Sequence, residues 1–157
     1  GLRTADEVPP FYLGVPDPSL TYGSQTLPLA PGKSEVLKGI VREPWFREAP
    51  HKVLFCHIPL WYQHPRVHDN ELQGSKYCRD LWVPTLQEAG VKLVISGHTH
   101  DYVWMPAKAG QPISQLIGGA PQPKYATFIQ GSATKEALML KMSKLDGQVV
   151  ADVTLRG

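Results

Sequence analysis

Three of the six histidines in this chain share a setting that can do chemistry. His57 falls in the apolar run VLFCHIPL, and His98 and His100 follow Gly97 directly after a second apolar run, VKLVISG. A neutral imidazole is a ligand for zinc, iron or manganese, and three imidazoles with an open position form one known catalytic zinc arrangement. In an extended backbone residues i and i+2 project to the same side, so the spacing predicts His98 and His100 pointing into one space, with Gly97 permitting a tight turn after the strand. The plainer alternative is that all three are polar loop residues satisfied by nearby backbone groups. Cys56 precedes His57, and strand alternation turns its thiol the other way, which makes it a buried structural group rather than a nucleophile. Asp101 follows the pair and is positioned to orient a ligand from behind. His64, His68 and Asp69 read as a solvated loop that can line an entrance to the site.

The elements that position these groups are readable from periodicity. The run VLFCHIPL is continuous, rich in β-formers and of the length of a strand buried on both faces, and VKLVISG reads the same way. Between them, Gln63–Cys78 is polar and aperiodic and reads as a loop. RDLWVPTLQEAG has helical spacing closed by Gly90, with the helix proper starting near Pro84. Strand, loop, helix, strand is a β-α-β unit, whose strands are expected to be parallel and to gather functional groups at their carboxyl ends. Upstream, Ser34 caps a short helix to about Arg42, with Val36, Leu37, Ile40 and Val41 on one face. Downstream come three short stretches, ISQLIGG, YATFIQG and ALMLKMSKLDGQVVADVTLR, in which Asp146-Gly147 signals a hairpin, so the tail is expected to be antiparallel. The fold class is α/β: a β-α-β unit followed by antiparallel strands.

Composition limits the function classes. At 157 residues the chain fits one core, and 42% hydrophobic with 19% charged residues excludes intrinsic disorder. A net charge of +2 carries no nucleic-acid signature. No stretch approaches the ~18 consecutive apolar residues of a membrane span, and GLRTADEVPP lacks the apolar run of a secretory signal. Two cysteines without C-x-x-C spacing make no disulfide framework. Residues 1–33 carry prolines without any helical or alternating period and read as an extended arm, leaving residues 34–157 as the folded unit.

The strings VLFCHIPLW and LVISGHTHDY resemble the last two metal-binding motifs of the calcineurin-like metallophosphoesterases, the superfamily that includes the purple acid phosphatases. Those motifs are a His at the end of one strand and G-H-x-H after the next. The likeness extends from about Ser34 to Gly157 and includes ISQLIGGAPQ, similar to the strand and glycine turn that follow G-H-x-H. It implies half of a two-sheet sandwich flanked by helices, with a dinuclear centre of divalent or trivalent ions at the strand ends. Under that resemblance His57 and His98 bind one metal and His100 the other, and a hydroxide polarised between the ions attacks the phosphorus of a phosphoester substrate.

The family's upstream motifs, D-x-H, G-D-x-x-D and G-N-H-[DE], have no counterpart here: Asn70 is the only Asn, no Asp follows a Gly, and no Asp precedes a His by two places. With no initiator Met at its start, the chain is expected to be the carboxyl-terminal half of such an enzyme. Three neutral imidazoles without a bridging carboxylate cannot hold two cations close together, so this chain is expected to be inactive alone and to depend on an amino-terminal half or another copy. A non-catalytic binding or assembly module with vestigial histidines is the alternative.

Overall fold

The computed structural model describes residues 37–63 and 69–157. The proline-rich arm, the Ser34 cap, His64 and His68 lie outside them. Residues 37–40 form a helical turn, with Val41 N donating to Leu37 O at 3.1 Å. Then follow α1 (Pro44–Glu48), β1 (Val53–Phe55), α2 (Asp69–Glu88), β2 (Leu93–Ser96), β3 (Val103–Met105), β4 (Ser114–Ile117), β5 (Thr127–Ala133), β6 (Ala137–Lys144) and β7 (Val149–Arg156).

The strands make two sheets, one of order β1-β2-β4-β3 and one of order β5-β6-β7. β1 and β2 are parallel, as the β-α-β reading requires, with Val53 opposite Leu93 and Phe55 opposite Ile95. The continuous apolar run of β2 has the expected cause. Leu93 and Val94 are both 0% exposed, and they face opposite ways. Val94 joins Leu54, Ile117, Trp82 and Leu86 in a core under α2, while Leu93 joins Leu116, Met142 and Val153 in a core between the sheets. The result is three layers, helix on sheet on sheet, around two cores.

Three sequence expectations need correction. α2 begins at Asp69, not near Pro84, and takes in most of the stretch read as a loop. Its sheet-facing positions include Ser75 and Cys78, each 2% exposed, so the buried face carries small polar and thiol groups where an apolar period was sought. Pro84 sits inside the helix with its ring exposed. β1 is only three residues long, and the chain leaves the strand before His57. β4 is parallel to β2, so the antiparallel tail begins at β5 rather than at ISQLIGG. β3, pairing antiparallel with β4, and the short α1 were not anticipated.

The hairpin was anticipated. Gly147 has φ 88°, Gly147 N donates to Lys144 O at 3.0 Å, and Gln148 N donates to Asp146 Oδ1 at 2.9 Å. The left-handed conformation is available to glycine at little cost, which is why Asp-Gly marks such turns.

Candidate metal centre

Beyond their last paired residues, β1 and β2 stay in register. Cys56 N donates to Ile95 O at 3.0 Å, and Gly97 N donates to His57 O at 3.0 Å. The second bond sets Gly97 against His57, so the next residue, His98, emerges beside it. His98 Nδ1 lies 3.2 Å from His57 Nε2, with the rings edge-on at 80°. One nitrogen carries the proton and the other accepts it.

The His98–His100 stretch is not extended. His98 has φ 70° and His100 φ 56°, so both occupy the left-handed region, and the argument from i and i+2 in a strand does not describe them. A non-glycine residue there costs about 1–2 kcal/mol, and two within three residues mark a backbone held in place by its surroundings. Thr99 N donates to Gly97 O at 2.8 Å and tightens the turn.

Electrostatics bear on His57. It is held below the ordinary imidazole range, first by partial burial of its ring and then by repulsion from His98 and His100. It is therefore neutral at neutral pH, the form that coordinates a cation. Two nitrogens bound to one ion at ~2.0–2.1 Å stand about 3.0–3.4 Å apart, so the 3.2 Å separation fits two corners of a single coordination sphere. His100 is close enough to act on His57 through charge, but among the described residues no three His, Cys, Asp or Glu side chains converge as a metal site. Two of the three sequence-identified histidines are thus within hydrogen-bonding distance of each other, and His100, though near enough to act on His57 through charge, does not complete a three-ligand cluster among the described residues. Asp101 does not reach the pair through any hydrogen bond among the described residues; its Oδ1 accepts from Tyr102 N at 2.8 Å.

A clamp that motif reading missed positions the segment after His57. Gln115, 0% exposed on β4, accepts from Leu60 N at 2.9 Å and Trp61 N at 3.2 Å through Oε1, and donates to Trp61 O at 2.6 Å through Nε2. From α2, Ser75 Oγ donates to Pro59 O at 2.8 Å, and Arg79 donates to Leu60 O. Ile58–Trp61 is therefore tied to two elements at once, which fixes the exit of the chain from His57. The one legible signal was an amide inside the apolar run SQLIGG.

On its outer side β1 pairs with no strand among the described residues. A cavity of about 560 Å³ opens there, lined by apolar side chains including Trp45, Phe46, Phe55 and Ile95, with His57 and Ser96 at its polar end. Phe55 is 64% exposed.

No family model matches the chain, and no curated protein matches it significantly. Among solved structures, the chain is similar to GAP50, described as the anchor in the inner membrane complex of Plasmodium. The TM-score is 0.60 at 16% identity, over 80% of this chain and 42% of GAP50. The likeness is one of fold, and the chain spans less than half the length of that neighbour. No helix among the described residues is long and apolar enough to cross a membrane.

Proposed function

We propose that this chain carries part of the metal centre of a calcineurin-like metallophosphoesterase, in which a longer polypeptide hydrolyses phosphoesters and these residues supply imidazole ligands. The observation that carries the reading is the His57–His98 pair: two imidazole nitrogens 3.2 Å apart, each just past the carboxyl end of one of two adjacent parallel strands. Both belong to the motifs that resemble the family's, and their spacing suits a shared ion. In such a centre the bound metals lower the pKa of a water and neutralise charge on the phosphoryl oxygens. The chain's own residues do the positioning. Gly97 N on His57 O aligns the two strand ends, Gln115 and Ser75 hold the segment after His57, and the depressed pKa of His57 keeps its lone pair available.

The ligand count makes the longer polypeptide necessary. The His57–His98 pair lacks the carboxylates that hold two cations together, so those groups come from outside the described residues. The edge of β1 that is unpaired among the described residues, with its apolar cavity, is where further chain would extend the sheet.

The test is to express the complete coding sequence and assay p-nitrophenyl phosphate and bis-p-nitrophenyl phosphate with zinc, manganese and iron. Hydrolysis abolished by chelation and by His98→Ala is expected. A gene product that binds metal and hydrolyses neither would favour a second reading, an assembly module of the same fold, which the description of GAP50 as an anchor supports.

A further inference from the structure

A second concavity lies at the opposite end of β1 from His57. It opens between residues 37–42, α1, Lys52 just before β1, and the carboxyl end of α2, with a volume of about 680 Å³. Among the described residues, Lys38, Arg42, Arg47 and Lys52 line it against one carboxylate, Glu88. The chain as a whole is nearly balanced, with 16 Lys and Arg to 14 Asp and Glu, so this is a local concentration of positive charge. Glu43 and Glu48, next to these cations in sequence, are not part of the lining.

Arg42, Arg47 and Lys52 are not consumed by contacts among the described residues. Arg42 and Arg47 are exposed and make no ion pair or side-chain hydrogen bond among the described residues. Lys52 has its ammonium 5.9 Å from the centre of the Phe46 ring, a contact that leaves its donors available. The carboxyl end of α2 does not need them either. Three of its last four carbonyls are met by the chain's own backbone, with Ala89 N on Thr85 O at 3.0 Å, Gly90 N on Gln87 O at 2.9 Å and Val91 N on Leu86 O at 2.9 Å.

We propose that this concavity binds a multiply charged, phosphate-bearing anion. Like charges gathered in one concavity repel one another, and an anion relieves that repulsion. Guanidinium groups grip phosphate oxygens in a bidentate fork, and Arg42 and Arg47 provide two such forks beside the point charge of Lys52. The volume lies within the ~300–1,000 Å³ of small-molecule sites and exceeds what one phosphate fills, which selects an anion with several phosphates. Two sources offer that chemistry, a soluble polyphosphate and the headgroup of a phosphorylated inositol lipid. The site is independent of the histidine pair.

The experiment is calorimetric titration of the chain with tripolyphosphate, beside flotation with phosphatidylcholine vesicles with and without phosphatidylinositol bisphosphate. Wild type is compared with Arg42→Gln/Arg47→Gln and with His57→Ala, each checked for an unchanged thermal melt. Expected is saturable binding that weakens with salt, falls by about tenfold or more in the double variant, and is unchanged in His57→Ala. Recruitment to the doped vesicles with the same loss assigns the lipid headgroup, and binding without recruitment assigns a soluble anion. No saturable tripolyphosphate binding, or binding that survives in the double variant, overturns the proposal.

Discussion

The two sheets are built on different logic. In the three-stranded sheet every strand pairs with its neighbour in sequence, β5 with β6 and β6 with β7, so its order follows from turns such as the one at Gly147. In the four-stranded sheet β1 reaches β2 only across the whole of α2, and β4 rather than β3 pairs with β2. Local pairing is the easier to form, whereas non-local pairing must be supported by packing already in place. The histidine pair sits on the non-local sheet. Its geometry therefore depends on the core beneath α2, on the core shared with the hairpin sheet, and on the Gln115 clamp, and each dependence can be tested separately.

The largest effect is expected where the sheets meet. Leu116 is 0% exposed in the core between them, and Leu116→Ala should cost about 2–5 kcal/mol in urea denaturation. A loss much below that range would mean the sheets do not share a tightly packed core. Next is the junction between them. Gly119 N donates to Thr127 Oγ1 at 2.9 Å, and a Cβ added at Gly119 would stand 1.8 Å from Tyr125 O. Backbone must move to admit it, so Gly119→Ala should cost about 1–3 kcal/mol, read as a lowered Tm.

Gln115→Leu should also cost about 1–3 kcal/mol, because it leaves the Leu60 and Trp61 amides buried without their acceptor. Its distinguishing mark is spatial: hydrogen exchange should rise at Leu60 and Trp61 while the β6 amides stay protected. Equal deprotection of both sheets would contradict the separation drawn between them.

The last effect vanishes at neutral pH and is confined to the alkaline range. Burial pushes the Cys56 thiol from its ordinary 9.0 up to about 12 and the Cys78 thiol up to about 11. A raised folded-state pKa means the folded chain favours the neutral thiol. That contribution is complete below pH 9.0 and is lost as pH rises towards 11–12. Alkaline denaturation should show the decline in wild type, and Cys56→Ala/Cys78→Ala should flatten it.

What was legible in the sequence follows the same division. The hairpin strands showed themselves because Asp146-Gly147 is a local signal, and β2 because burial on both faces leaves an unbroken apolar run. The amino-terminal half of α2 did not, since Ser75 and Cys78 hold positions an apolar period would have marked, and only the tertiary contact with Pro59 and the sheet explains them. The parallel placement of β4 had no local signature. At the site, the meeting of His57 with His98 followed from strand-end placement. The left-handed backbone at His98 and His100 did not, because it is set by the turn rather than by residue type.

The central claim is that His57 and His98 form two corners of one metal site. The most direct test is a zinc titration followed by NMR of the histidine ring nitrogens. The account predicts that His57 and His98 shift together, with one midpoint and saturation at one ion per chain, while His51, whose Nε2 lies 2.7 Å from Thr134 O, does not respond. Rings of His57 and His98 that stay unperturbed, or that titrate with separate midpoints, would contradict it.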